Sequence, residues 1–354
     1  MIRSFLHGTA IGRTITNAFW KILGSDVHDL CGFDKHAETS KLKPWTTAMF
    51  TGCTFSILNY DTDFFELVRS GIVKVHIADL DYLSEGKVHL ANATRDVLDS
   101  DGMLCATGWK HAPALKMFPE GIEREIGLPH LIQNGDDEHD LASQAGLFER
   151  ADREILQRFP SLRNPPEFNK RYKPLIQQGA FSTDEPGAPE SPLSPPLLYH
   201  FIAPVSPKFL RTKDFAVAGG VMNFSNALCT HIQGLWIAAY FGGKLARDPS
   251  SVLAVNTAEA VGEMGQVVRK DKLTLDDLQY ETVLYNRFGK WRYPADHGWK
   301  YPDFVFDAVP YMDVLMADLG LQIHRKRGWL KEITDPYGPE DYIDINDEWK
   351  RKFA

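Results

Sequence analysis

The chain has 354 residues, of which 44% are hydrophobic and 24% charged, so it can bury a large core, and neither disorder nor a fibre is expected. Two lobes are expected at this length, since a single core seldom grows past about 250 to 300 residues. The net charge of −8 argues against a nucleic-acid partner, because binding to phosphates depends on a basic surface.

The cysteines favour a reducing, cytoplasmic compartment. Cys31, Cys53, Cys105 and Cys229 lie far apart, without a Cys-x-x-Cys pair and without histidines at metal-ligand spacing. We therefore expect neither a metal site nor a redox dithiol. No apolar run reaches the roughly 18 residues that a transmembrane helix needs, so no transmembrane segment is expected.

The first segment, "IRSFLHGTAIGRTITNAFWKIL", is open to two interpretations. Its arginines, its hydroxyl groups and its lack of acidic residues match a mitochondrial transit peptide. Its apolar residues also match one face of an amphipathic helix of the folded protein, and we favour that helix. This face comprises Ile11, Ile15, Ala18, Phe19 and Ile22.

A helix, a small meander and a strand are predicted next. "DTDFFELVRSG" reads as a helix with Asp61 or Thr62 as N-cap and Gly71 just after its end. "IVKVHIADLDYL" and "KVHLAN" alternate apolar and polar residues and predict strands joined at Gly86. "GMLCATG" predicts a buried strand that ends at Gly108. This order is typical of the second half of a nucleotide-binding α/β domain.

A helical pattern from 136 to 162 leads into a proline-rich stretch. Residues 160–207 hold eleven of the chain's 21 prolines, which predicts an extended segment, because proline neither donates to a strand ladder nor fits a helix interior. A linker and a lid are equally compatible with this composition.

The sequence from 208 onward predicts a strand, two glycines and a helix. "DFAVAGG" reads as an apolar strand that ends at Gly219 and Gly220. Ile232, Trp236 and Tyr240 then recur at helical spacing, up to a stop at Gly242 and Gly243. Such a turn suits an anion, because glycine lets a ligand approach the backbone and the first helical N–H groups are unpaired. The remaining residues are predicted to be mostly helical.

Two motifs carry a resemblance to a known family. "ATGW" matches the Ala-Thr-Gly element that links the two domains of flavin-dependent monooxygenases of the group B type, through Thr107 and Gly108. "HIQGLWIAAYFGGKL" resembles that family's Glu-x-Gln-x-x-Trp segment near the flavin, where Gln233 and Trp236 agree but His231 replaces the usual Glu. The resemblance covers nearly the whole chain and is strongest to the fungal branch with a long C-terminal extension.

The resemblance implies an α/β fold, a partial two-dinucleotide-binding, Rossmann-like flavoprotein with a helical C-terminal extension. The implied regions are 1–110, a partial NAD(P)-binding domain; 111–207, a helical and Pro-rich insertion or lid; 208–245, the strand and helix that return to the FAD domain; and 246–354, the extension. It further implies FAD and NADPH as cofactors and a small organic substrate, oxygenated through a flavin hydroperoxide.

The two Gly-x-Gly-x-x-Gly turns of this family are missing from the sequence. The nearest candidate, "HGTAIGRT", has glycines only at Gly8 and Gly12. The chain thus resembles a family member that is N-terminally truncated and begins inside the nicotinamide domain. Two interpretations follow: a fragment of the monooxygenase that is not active alone, or a non-catalytic remnant that serves at most as a binding or structural module. The oligomeric state is left open.

The candidate cofactor-binding residues fall in two groups. Thr107 and Gly108 are expected at the junction of the two domains, with strand-end packing as the alternative. Gly219 and Gly220 are expected near the flavin pyrophosphate or ribityl chain, with a simple tight turn as the alternative.

The start of the following helix supplies the rest of the candidate site. Asn226, Thr230 and Gln233 are expected to donate to the flavin ring, with helix capping as the alternative and Thr230 as the candidate N-cap. Trp236 is expected in the core. No catalytic residue is predicted.

Overall fold

The computed structural model of the protein describes residues 2–52, 61–106, 115–130, 138–170, 194–254, 273–294 and 303–353. Helices dominate these ranges, and the strands form one small sheet. The helices are α1 (Ile2–Gly8), α2 (Ala10–Cys31), α3 (Ala37–Ser40), α4 (Phe64–Arg69), α5 (Ile122–Ile126), α6 (Glu138–Arg158), α7 (Pro207–Thr212), α8 (Asn226–Phe241), α9 (Leu275–Arg292), α10 (Ala308–Leu319), α11 (Trp329–Thr334) and α12 (Ile345–Phe353). The strands are β1 (Leu80–Ser84), β2 (Lys87–Leu90) and β3 (Val97–Asp99).

The predicted N-terminal helix is confirmed, but its apolar face lies at the surface. α2 begins where the Thr9 hydroxyl accepts a hydrogen bond from the Gly12 N–H at 3.0 Å, and it ends at Gly32 with a φ of 63°. The helix buries Val27 and Cys31. The predicted face of Ile11, Ile15, Ala18, Phe19 and Ile22 is exposed.

The helix before the meander is confirmed, and the meander is confirmed in part, because residues 72–79 of the first predicted strand form no strand. α4 is capped by Asp63, whose carboxylate accepts from the Glu66 N–H at 3.1 Å, so neither Asp61 nor Thr62 is the N-cap. Gly71 follows the helix with a φ of 77°, as predicted. β1, β2 and β3 pair in that order, all antiparallel, and Gly86 turns between β1 and β2 with a φ of 66°.

Two predicted strands are absent. Residues 102–106 form no strand, and Leu104 is 95% exposed, so the described part of "GMLCATG" is not a buried strand. Residues 214–220 run without strand pairing; Val217 makes one backbone hydrogen bond, to the Ile202 carbonyl at 2.8 Å. An apolar run becomes a strand only where a neighbour completes its ladder, and neither segment has one among the described residues. The described fold is therefore mixed helix and sheet, with an antiparallel sheet.

The main core forms around α8, α9 and α10. Trp236 and Tyr240 from α8 are fully buried there with Leu278 from α9 and Leu315 from α10. Residues 199–203, from the end of the proline-rich stretch, are also buried in this core. None of the described helices combines the length and apolar character that crossing a lipid bilayer requires.

A charged contact ties α6 to α9. The Arg287 guanidinium donates to both carboxylate oxygens of Asp152, and the Trp291 indole N–H donates to the same carboxylate at 2.8 Å. Burial pushes the pKa of Asp152 upward, but the bonds from Arg287 and Trp291 outweigh it and hold this pKa below its ordinary value. The ionised carboxylate therefore stabilises the folded state.

We predict that Asp152→Asn lowers the free energy of unfolding by about 1.5 to 3 kcal/mol at neutral pH, because Arg287 loses a charged partner. A carboxyl group whose pKa falls on folding stabilises above its unfolded pKa of about 3.9, and that stabilisation is lost as pH falls through the folded value. The difference between the two proteins should accordingly shrink in acid. Urea unfolding at neutral and acidic pH measures this, with Glu149→Gln on the exposed face of α6 as control. A difference independent of pH would contradict the prediction.

Candidate cofactor site

The turn at Gly219 and Gly220 has the backbone geometry that glycine permits. Gly219 has a φ of 75°, and a Cβ added there would meet no atom within 4 Å. A Cβ on Gly220 would lie 3.1 Å from the Phe201 carbonyl oxygen. The first glycine thus faces open space in a left-handed conformation, while the second packs closely on the main core.

The start of α8 has no side-chain cap. Ser225 occupies the N-cap position but makes no side-chain capping bond, so within the described part of the chain the first N–H groups of the helix have no capping side chain. Asn226 and Thr230 lie on its exposed side, one turn apart. Thr230 is not the N-cap: it lies inside the helix, and its hydroxyl donates to the Asn226 carbonyl at 2.6 Å.

Gln233 connects the glycine turn to the helices. Its side-chain oxygen accepts from the Gly219 N–H at 2.9 Å, and its side-chain nitrogen donates to the Tyr311 hydroxyl at 2.7 Å. That hydroxyl donates to the His200 carbonyl at 2.9 Å. Gln233 is only 1% exposed, so it holds the turn from the core side and presents no surface to a ligand. Burial, the largest cause, raises the pKa of Tyr311 far above its ordinary value, and Tyr311 stays protonated.

A buried carboxylate lies behind this contact. Asp318 accepts from the Trp236 indole N–H at 3.1 Å and from the Tyr199 hydroxyl at 3.3 Å, and the His200 Nε2 lies 3.0 Å from the same oxygen. Burial and then the Asp318 charge raise the pKa of Tyr199, which keeps its hydroxyl protonated as a donor. Trp236 is therefore a core residue, as predicted, and His200 is structural.

Asn223 lies between the turn and the helix. It is 5% exposed, and neither its amide oxygen nor its amide nitrogen has a hydrogen-bond partner among the described residues. The Cys229 thiol lies beside this amide; burial raises the pKa of the thiol to about 11, although the Asn223 side chain lowers it.

The structure describes five of the seven sequence-predicted residues and joins the glycine turn to one of the three in α8. Gly219 and Gln233 touch directly, Gly220 adjoins them, and Asn226 and Thr230 occupy the first turns of the same helix. Thr107 and Gly108 lie outside the described residues. Sequence reasoning missed Tyr311 and Asp318. Both lie on α10, seven residues or two helical turns apart. The sequence signal that could have identified Asp318 was an acidic residue within an apolar helix.

Comparison with known proteins gives relatives along nearly the whole chain. The chain is 24% identical to the FAD-dependent monooxygenase DEP4 of Alternaria brassicicola over 352 residues, which are 98% of this chain and 52% of that protein. It is 24% identical to the FAD-dependent monooxygenase avaB of Aspergillus versicolor over 98% of this chain and 46% of that protein. The FAD-dependent monooxygenase resA of Aspergillus sclerotiorum is 25% identical over 93% of this chain and 50% of its own length.

The chain is homologous to flavin-dependent monooxygenases. The resemblance found from its motifs is thereby confirmed, and the chain spans about half the length of the curated relatives it matches. No protein-family model matches the chain, and no solved structure matches it. Because the relatives are FAD-dependent, FAD is the ligand with which binding at the glycine turn and the start of α8 can be tested.

We predict that Gln233→Met lowers the free energy of unfolding by about 1 to 3 kcal/mol, because the Gly219 N–H loses its acceptor and the buried Tyr311 hydroxyl loses its donor while the side-chain volume is kept. Thr230→Ala, on the exposed face of the same helix, should change it by no more than about 0.5 kcal/mol. Urea denaturation of both variants provides the comparison. Equal stabilities would show that the Gln233 bridge does not hold the turn.

Proposed function

We propose that this chain is part of an FAD- and NADPH-dependent monooxygenase and supplies one wall of its flavin site. The observation that carries the proposal is the Gly219–Gln233 bond, which fixes an open glycine turn against α8, two turns after the helix begins without a side-chain cap. Homology to FAD-dependent monooxygenases along nearly the whole chain supports FAD as the group involved. NADPH as the reductant rests on the family resemblance alone.

The residues present fit the anionic part of FAD. The first N–H groups of α8 carry the positive end of the helix dipole, equivalent to roughly half an elementary charge, and they point away from the helix. Gly219 has open space where a side chain would stand, so a pyrophosphate can approach its backbone. Asn226 and Thr230 offer exposed polar side chains at the same end. When bound, FAD would supply the redox and oxygen chemistry.

The Rossmann-like fold is part of this proposal. The described strands pair only antiparallel, so the parallel sheets of two dinucleotide-binding domains would have to come from polypeptide other than the described residues. The same holds for the two glycine-rich phosphate turns, which the sequence does not contain. We therefore propose that the chain does not oxygenate its substrate alone. From its widely spaced cysteines we also propose that it works in a reducing, cytoplasmic compartment.

The missing turns also favour a second candidate function, a non-catalytic binding module. Each charge-assisted hydrogen bond to a pyrophosphate contributes about 1.5 to 3 kcal/mol, so the loss of several reduces cofactor affinity by many powers of ten. The two candidates differ in a measurable way. A partial flavin site binds FAD weakly at the start of α8, whereas a module unrelated to flavin does not bind it there.

We predict weak, saturable binding of FAD, and about 5- to 10-fold weaker binding to Asn226→Asp, because the added charge repels the pyrophosphate by about 1 kcal/mol or more. Titration of FAD, followed by its fluorescence, measures both affinities.

The fold should tolerate this change, since an acidic residue in the first turn of a helix is stabilising by about 0.3 to 1 kcal/mol. Asn226→Ser is the matched neutral control, because it keeps a short polar side chain without charge, and it should lose clearly less FAD affinity than Asn226→Asp. Equal affinities for the Asp and Ser variants, or no binding to the wild type, would overturn the assignment of this site.

A further inference from the structure

A cavity of about 600 Å³ lies beside α2, and none of the candidate cofactor-binding residues lines it. Its walls are the face of α2 from Asn17 to Asp29, the turn at Thr47–Phe50 and the segment from Ser161 to Phe168. Pockets for small organic ligands have volumes of about 300 to 1,000 Å³. The cavity is thus of a size to hold one such molecule.

Aromatic side chains line the cavity and are held in place by their neighbours. Phe50 is buried, and the Trp20 ring is fixed edge-on against the Phe306 ring with centroids 5.1 Å apart. The His28 ring stands nearly perpendicular to the Phe168 ring, at 6.0 Å. The Phe168 N–H donates to the Trp45 carbonyl at 2.6 Å, which anchors that segment. These walls suit a flat, apolar ligand.

The lining of the cavity has no net charge from its lysine and its aspartate. α2 contributes Lys21 and Asp29 to the lining, one of each sign. Burial, followed by the charge of Lys43, lowers the pKa of His28, so its imidazole is neutral at neutral pH. Asn17 and Asn164 add neutral hydrogen-bonding groups. The lining therefore favours a ligand without net charge that has a few polar atoms.

One aromatic ring connects the cavity to the candidate cofactor site. Phe306 contacts Trp20 of the cavity on one side, and on the other it contacts Phe224, with ring centroids 6.0 Å apart. Phe224 comes two residues before α8 begins at Asn226. A ligand in the cavity and a cofactor at the start of α8 would accordingly be neighbours.

We propose that this cavity binds a neutral, largely apolar aromatic or polycyclic small molecule and is the substrate pocket of the monooxygenase. The substrate role rests on the function proposed above, whereas ligand binding by the cavity does not.

Gly24 provides a way to close the cavity without disturbing the fold. It lies in the lining and in the interior of α2, and a Cβ added there meets only the Ala48 Cβ, at 3.7 Å. Gly24→Ala should therefore fit without displacement, and Gly24→Leu places its longer side chain in the cavity. Both changes replace glycine by a better helix former, so both variants should unfold at or above the wild-type temperature.

The test is a fluorescence titration with the neutral probe N-phenyl-1-naphthylamine. We expect saturable binding of one probe per chain, an affinity within about two-fold of wild type for Gly24→Ala, and an affinity about ten-fold or more lower for Gly24→Leu. The anionic probe 8-anilinonaphthalene-1-sulfonate should bind more weakly than the neutral one. Undiminished binding to Gly24→Leu, no saturable binding, or preference for the anionic probe would overturn the proposal.

The exposed apolar face of α2 is the competing site for an apolar probe. Replacing Ile15 and Ile22 by Gln removes part of that face and should leave probe affinity unchanged; loss of binding would place the probe on the surface and not in the cavity. The FAD titration separates the two proposals. If Gly24→Leu blocks the probe but FAD does not bind, the pocket stands and its substrate role fails; if FAD binds and Gly24→Leu keeps the probe, only the pocket fails.

Discussion

The buried carboxylate of Asp318 is the constraint on which the rest of the described core depends. A buried carboxylate is costly unless it is hydrogen-bonded. Asp318 accepts hydrogen bonds from the Trp236 indole of α8 and from the Tyr199 hydroxyl of the buried segment 199–203. The same three parts of the chain are linked a second time where Gln233 binds Tyr311 and Tyr311 binds the His200 carbonyl. The glycine turn is attached to this second link, so its position is set by the core.

Local pattern was enough to predict part of this structure. The spacing of Ile232, Trp236 and Tyr240 identified α8, and alternation with a glycine identified the meander, because both signals lie within a few residues. The strands predicted at 102–108 and 214–220 failed in their described parts, since an apolar run does not reveal whether a partner strand exists. Asp318 was missed because its partners lie far away in sequence and only folding brings them together.

The candidate site shows the same division. The sequence predicted two glycines ahead of a helix. The structure adds what a motif cannot contain: the buried Gln233 side chain bonds to the turn, and Asn226 and Thr230 are exposed. The cavity beside α2 has no sequence motif at all, because its walls come from three separate segments. The proposals made above connect these observations: the proposed cofactor site at the start of α8 and the proposed substrate pocket are joined through the rings of Phe224, Phe306 and Trp20.

Hydrogen–deuterium exchange with and without FAD tests most directly whether the glycine turn and the start of α8 form a flavin contact. The first N–H groups of α8, which have no side-chain cap among the described residues, exchange with solvent until a ligand accepts hydrogen bonds from them. We predict that FAD slows exchange in peptides that cover Gly219 to Thr230 and leaves those of the meander, from Leu80 to Asp99, unchanged. Unchanged exchange at the turn, or slowing confined to other parts of the chain, would contradict this account.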